Sequence, residues 1–197
     1  MKYCIAALIG YLLGSLNVSV MLSTHFEDGD VRKKGSGNAG ATNMARVYGL
    51  QAGLLTLAGD MLKTFAAVTV GRLLAGDAGL LCAGAACMLG HCWPVFHAFR
   101  GGKGASVGAM TALLIDGRVF LAAAAVFFLI ALTTKKVSVG STCAALTLAL
   151  TALILPLGWE RAVLGIIIGA IVVFQHRENI KRLLNGTEPD FKAAKRR

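Results

Sequence analysis

"YCIAALIGYLLGSLNVSVMLS", residues 3–23, decides the fold. The run follows Met1-Lys2 and contains no charged residue. About 20 apolar residues are needed to cross about 30 Å of hydrocarbon as a helix. The run is long for a secretory signal, and no small-x-small cleavage site stands near its end. It therefore reads as a retained membrane span. Six further apolar segments follow, at 49–73, 78–96, 104–115, 118–133, 138–156 and 161–175. The expected fold class is all-α, a polytopic membrane protein of seven transmembrane helices, with residues 1–197 forming a single integral-membrane domain. Segment 104–115 is too short for a straight crossing and reads as a half-helix packed against its neighbours. Only "DGR" at 116–118 separates it from the next segment, so hydropathy alone could merge the two.

Composition agrees with a membrane protein. The chain is 56% hydrophobic and 15% charged, whereas a soluble domain carries about 25% charged residues. Its mean hydropathy is +0.67. The longest polar stretches, 24–47 and 175–197, leave no room for a separate soluble domain. A net charge of +10 on a soluble chain would suggest nucleic acid. Here its distribution carries a different meaning. With seven spans, loops 24–47, 97–103 and 134–137 share one side with the C-terminal tail. That side holds 15 Lys and Arg, the other holds four (Lys2, Arg72, Arg118 and Arg161), and Lys63 lies within a span. The positive-inside rule then places the N-terminus outside and the C-terminus in the cytoplasm. No nucleic-acid partner is expected. The five cysteines are odd in number and lie mostly in apolar runs, so they read as reduced thiols. Cys92, His91 and His97 match no zinc spacing, and no metal is expected.

The chemistry-bearing residues gather on the basic side. They occur in "RKKGSGNAGATNMARVYG" (32–49), "GHCWPVFHAFRGGKGAS" (90–106), "KKVSVGS" (135–141) and "HRENIKRLLNGTE" (176–188). In the second stretch, Gly101, Gly102 and Gly104 permit a tight turn with exposed N–H groups, and Lys103 adds a charge. The apolar segment beginning there would present a helix N-terminus, which favours anions. The stretch is not a Walker A loop, since G-x-x-x-x-G-K-[ST] is absent; read alone, it fits a glycine linker equally well. "GSGNAGATN" (35–43) points to a ligand more firmly. A plain loop needs a few Gly and Asn for turns. This one sets Ser36, Asn38, Thr42 and Asn43 among small residues between Arg32 and Arg46. Asp60 and Lys63 lie three apart within a span, as a mutual ion pair or part of a site. His176 and Asn179 are also three apart. His25 and Asp30 show the H-x-x-x-x-D spacing of thioester-using acyltransferases, but in an acidic loop start, "HFEDGD", with no further element of that family.

Taken together, "GSGNAGATN…R", "GH..PVF..F.GGKG" and "H..NI.RL..G.E" resemble the motifs of the acyl-phosphate:glycerol-3-phosphate acyltransferase family of bacterial membranes, the PlsY family. "D..K" and "SVGS" fit as well, and the likeness runs over nearly the whole chain. The resemblance implies seven spans, a site on the cytoplasmic face of the bacterial inner membrane, and no metal or nucleotide cofactor. It implies acyl transfer from acyl phosphate to the 1-position of glycerol 3-phosphate, giving lysophosphatidic acid and phosphate. The implied catalytic residues are Ser36, Arg46, Lys103, Ser141, His176 and Asn179. Asn38, Thr42, Asn43, Gly101, Gly102, Gly104 and Ser106 are the expected substrate and phosphate ligands. The chain departs from the family pattern in two places. Ala105-Ser106-Val107 replaces the usual Val-Ala-Thr, displacing a hydroxyl by one position, and Thr64 stands where Gly is usual after the "D..K" lysine.

The chemistry explains the residue types. Two phosphate-bearing substrates call for cations over a glycine-rich backbone, and a long acyl chain calls for membrane helices. Attack on the acyl carbonyl builds negative charge on oxygen, and a fixed donor there is worth about 10²–10³ in rate. A transporter for an anion would instead need polar residues lining its spans to the far side. Apart from Asp60 and Lys63 few are present. A lipid-binding scaffold leaves the four coincident polar loops unexplained.

Overall fold

The computed structural model describes residues 1–25 and 29–194, and all regular structure among them is helical. The acidic residues at 27–28 of the first loop lie outside the described residues. The helices are α1 (Lys2–Ser15), α2 (Val18–His25), α3 (Ala41–Tyr48), α4 (Leu50–Cys92), α5 (Ala105–Ile115), α6 (Gly117–Thr134), α7 (Val137–Ile154), α8 (Trp159–Gln175) and α9 (Arg177–Leu184). Short 3-10 turns stand at Val31–Lys33 and Val95–His97.

The first apolar segment is not one straight helix. Asn17 interrupts it: its Oδ1 accepts from Val20 N (3.2 Å) and Ser19 Oγ (2.7 Å), capping α2. Val20 N–H is thereby diverted from Leu16 O. An unsatisfied carbonyl at membrane depth is costly, and Lys63 Nζ donates to this one at 2.7 Å.

Segments two and three form a hairpin. The hydrogen-bonding pattern of α4 runs from Leu50 to Cys92, but Ala75 (φ −150°, ψ 26°) and Gly76 (φ 62°, ψ −147°) leave helical space, and the chain reverses there. Gly76 takes a left-handed φ that a side chain would resist. The two arms, 50–74 and 77–92, run antiparallel. Near the turn Gly71 meets Gly79, where a Cβ on Gly79 would stand 2.0 Å from Gly71 O. At the far end Lys63 meets His91. On α1, Gly10 and Gly14 press against the backbone of Ala83 and Cys87 in the same small-residue manner.

α5, with 11 residues, spans only about 16 Å at 1.5 Å per residue, as its sequence length implies. Asp116 separates it from α6 and caps the latter through Arg118 N (2.8 Å). By length and composition Lys2–His25, Leu50–His97, Gly117–Thr134 and Val137–Ile154 are candidate spans. α8 with α9 makes a fifth if its 53° bend belongs to one crossing. The seven apolar segments thus appear as broken, hairpinned and short helices rather than seven straight spans. The core joins the second arm of α4 to α5, α7 and α8 through Leu80, Met88, Val107, Ile115, Leu148, Leu164 and Ile168. Outward-facing Leu62, Leu73, Leu121, Leu129 and Leu132 are largely exposed, the inverse of a soluble surface and suited to lipid.

Candidate active site

A cavity of about 680 Å³ lies where the four polar stretches converge. Its size is that of a small-molecule site. One end is polar and basic. Ser36 and Asn38 come from the first loop, and Thr42 and Arg46 from the first and last turns of α3. Lys103, Gly104 and Ser106 come from the second loop and the first turn of α5. Ser141 comes from α7, and His176 and Asn179 from the α8–α9 bend. The other end is apolar, running between α6 and α7 past Phe120, Ala124, Phe127, Ala145 and Leu148 to the exposed ring of Phe128.

The first loop is shaped from within. Asn43, 1% exposed, accepts from Ser36 N (2.9 Å) and donates to the carbonyls of Val31 (3.1 Å), Lys34 (3.0 Å) and Asn38 (3.0 Å). Asn43 also lines the cavity, and through these bonds to the loop it positions Ser36. Arg32 ties this loop to the second by donating to His97 O (2.8 Å) and Arg100 O (3.2 Å).

The second loop differs from its sequence reading in one respect. Gly101 N–H donates to Cys92 O and Gly102 N–H to His91 O, each at 3.1 Å. Neither glycine lines the cavity, and neither N–H faces an anion there. Their use is close packing: a Cβ on Gly102 would stand 2.3 Å from His91 Nε2. Gly104, at φ 81°, does reach the cavity and turns the chain into α5. The first N–H groups of that helix have no intrahelical acceptor. Lys103 Nζ donates to Asn179 Oδ1. Burial, and then the Arg182 cation, push the Lys103 ammonium down to about 8 despite the opposing Glu188 carboxylate.

His176 is 4% exposed, and its Nδ1 lies 2.8 Å from Val172 O. A carbonyl only accepts, so Nδ1 carries the proton and Nε2 of the neutral ring is the acceptor. Ser141 is buried in the second turn of α7.

The motif "H..NI.RL..G.E" includes Glu188, to which sequence reasoning assigned no role. Its carboxylate is the hub of the tail. Oε1 accepts from Ser138 Oγ and from Asn179 Nδ2 (2.7 Å), and Oε2 from Arg182 Nε (2.8 Å). Burial would raise this carboxyl, but those three donors hold it below its usual range. Beyond it the chain crosses the cavity mouth, with Phe191 N on Lys135 O (2.8 Å) and Ala194 N on Ala45 O (3.1 Å). Its place at the acidic end of the motif, within a basic tail, was the available signal.

Deeper in the wall, Asp60 Oδ2 accepts from Ser106 Oγ at 3.1 Å. Its Oδ1 lies 2.9 Å from Lys63 Nζ, as an ion-pair contact outside hydrogen-bond geometry. Val107, the next residue along α5, is fully buried. His25 and Asp30 stand outside the cavity, and Arg32 takes the Asp30 carboxylate at 2.7 Å. All five cysteines are free.

Known proteins resemble the chain in sequence and fold. Residues 4–186 match the family model described as glycerol-3-phosphate acyltransferase. A glycerol-3-phosphate acyltransferase of Thermoanaerobacter pseudethanolicus is 40% identical over 93% of each chain. One of Syntrophotalea carbinolica is 38% identical over 98% of this chain and 99% of the other. The crystal structure of PlsY (YgiH), an integral membrane glycerol 3-phosphate acyltransferase, in its glycerol 3-phosphate form superposes with a TM-score of 0.89. It is 33% identical, over 98% of this chain and 96% of that one. Its lysophosphatidic acid form gives the same TM-score at 31% identity. With matching motifs, fold and near-complete coverage, the chain belongs to the glycerol-3-phosphate acyltransferase family.

Proposed function

We propose that this acyltransferase moves an acyl group from an acyl phosphate to the 1-hydroxyl of glycerol 3-phosphate, on the cytoplasmic face of a bacterial inner membrane. The observation that carries the reading is the polarity of the cavity. Lys103, Arg46 and Arg182 surround one end, and an apolar slot along α6 and α7 forms the other. A phosphate-bearing headgroup suits the first and an acyl chain the second. The excess of Lys and Arg in the loops at the cavity end supports seven crossings with the N-terminus outside.

The reaction joins the glycerol C1 oxygen to the acyl carbon and breaks that carbon's bond to phosphate. Lys103, Arg46 and the N-terminus of α5 hold phosphate oxygens. Ser36 and Ser141 supply hydroxyl donors for the carbonyl oxygen as it becomes negative, and Asn179 positions Lys103. Asn38 and Thr42 complete the headgroup end. The glycerol proton goes to a phosphate oxygen of the substrate, whose pKa is about 6. His176 orients glycerol 3-phosphate through Nε2. A second cation on that buried ring, close to the Lys103 ammonium, is unfavourable.

Purified protein given acyl phosphate and glycerol 3-phosphate should release inorganic phosphate and form lysophosphatidic acid. Acyl thioesters should support little or no turnover. Efficient use of acyl-CoA would overturn the donor assignment and return attention to His25 and Asp30.

A further inference from the structure

We infer that Asp60, Lys63 and His91 form a buried frame that positions the Lys103 loop, and that Ser106 is the frame's contact with the loop rather than a ligand of phosphate. The three are 1%, 7% and 2% exposed, where both arms of α4 meet α1 and α5; His91 reaches the cavity wall and Asp60 and Lys63 sit behind it. Lys63 Nζ lies 2.9 Å from Asp60 Oδ1 and 3.0 Å from His91 Nδ1, and donates to Leu16 O at 2.7 Å. An ammonium only donates, so His91 accepts at Nδ1 and carries its proton on Nε2.

The frame grips the loop from both ends. On one side the carbonyls of His91 and Cys92 take Gly102 N–H and Gly101 N–H, and the imidazole edge packs against Gly102 so closely that no Cβ fits. On the other, Asp60 Oδ2 takes the Ser106 hydroxyl at 3.1 Å in the first turn of α5. Lys103 and Gly104 lie between these two anchors. A shift of one residue along a helix rotates a side chain by about 100°. The displaced hydroxyl therefore faces Asp60 at position 106, and Val107 turns into the core. Intramembrane charges are rare and persist where they serve a site. This ion pair serves by fixing backbone, with the otherwise unpaired Leu16 carbonyl as a third anchor.

The test uses the full-length protein in detergent or nanodiscs and two near-isosteric variants, Ser106→Thr and Ser106→Val. They differ only in the hydroxyl. One readout is the rate at which an acylating amine reagent modifies Lys103, followed by peptide mass spectrometry. The other is acyl-transfer kinetics, which rests on the proposed reaction. Ser106→Thr should match wild type in both. Ser106→Val should change Lys103 labelling severalfold and lower kcat/KM about tenfold, the effect of about 1.4 kcal/mol on a transition state. Its thermal midpoint should stay near that of Ser106→Thr. Asp60→Asn combined with Ser106→Val should be non-additive in Lys103 labelling, because the two act through one contact. Wild-type labelling in Ser106→Val, or equal loss in Val and Thr, overturns the inference. If wild type fails to turn over acyl phosphate but Lys103 labelling still responds to Ser106→Val and not to Thr, the frame stands and the reaction assignment falls.

Discussion

Lys103 and Asn179 share a hydrogen bond across the head of the cavity, joining the second loop to α9. Glu188 takes the other side of the same amide at 2.7 Å, so the Asn179 oxygen is turned toward the ammonium. The lysine is thus held in place by the tail and depressed by burial and neighbouring cations.

That depression gives a pH prediction. The Lys103 charge is complete below about 8 and disappears as pH rises through it. The free-enzyme profile of kcat/KM should therefore fall on its alkaline side near that value. Lys103→Ala should lose most activity while folding and inserting normally. Lys103→Arg should also be poor, since a planar guanidinium does not replace a compact ammonium here, but its residual activity should lack the alkaline limb. Stability rises with pH, as it does for a carboxylate held below its usual range, although here the folded charge is disfavoured rather than favoured. The unfolded lysine titrates at its ordinary 10.5, so the unfolded state binds more protons between about 8 and 10.5. Burial of this charge costs stability at neutral pH, and the cost is relieved as pH rises across that window. Near-normal turnover by Lys103→Ala would remove the lysine from the reaction.

A second prediction concerns Asn43. One side chain accepts from Ser36 N and serves three carbonyls of the first loop. Asn43→Ala should cost about 2–4 kcal/mol, since several buried backbone groups lose a partner together. Trypsin cleavage at Lys33 and Lys34 in the folded protein should accelerate, and kcat/KM should fall at least tenfold because Ser36 loses its anchor. Asn43→Asp keeps the acceptor for Ser36 but turns a buried carboxylate oxygen onto those carbonyls, and should be at least as damaging as Asn43→Ala. A loop as resistant as wild type in Asn43→Ala would contradict this account.

The helices were legible because apolar runs and their polar interruptions are local signals. "DGR" marked the α5–α6 boundary, and Asp116 caps there. The Asn17 break was not legible: a single asparagine in an apolar run gives no warning that it will divert Val20 N–H, and Lys63 on another helix is what satisfies the carbonyl left behind. The motif residues converge as their spacing suggested, but spacing does not tell a lining atom from a supporting one. Asn43, Gly101 and Gly102 all turned out to spend their hydrogen bonds on the protein. His91 joins Asp60 and Lys63 only because Ala75 and Gly76 fold α4 back on itself.

Topology supplies a third prediction. In a cysteine-free background, single cysteines at 36, 103 and 181 should react with an impermeant maleimide from the cytoplasmic side. Those at 77 and 159 should react from the other side. Asp77 is paired with Arg161 at 3.1 Å near the α4 turn, away from the cavity. Labelling of 36 and 103 from opposite sides would be incompatible with a shared site.

The last prediction decides where the glycerol proton goes. His176 is the only imidazole at the α8–α9 bend, and a neutral ring with its proton anchored on Val172 O leaves Nε2 able to accept. As general base it would contribute about 10²–10⁴ in rate. The substrate phosphate competes for that role, since it lies beside the reacting carbonyl and titrates near neutrality without any help from the protein. If phosphate takes the proton and His176 only orients glycerol 3-phosphate, His176→Asn should lose activity mainly through a raised KM. The shorter asparagine amide overlays Nδ1 and falls short of Nε2, so the contact to glycerol 3-phosphate is lost while the chemical step can still proceed and some turnover should remain. The acidic limb of its kcat profile should persist, because the titrating group belongs to the substrate. If instead that limb vanishes in His176→Asn and added imidazole restores the rate, the ring is the base, and the phosphate assignment is wrong.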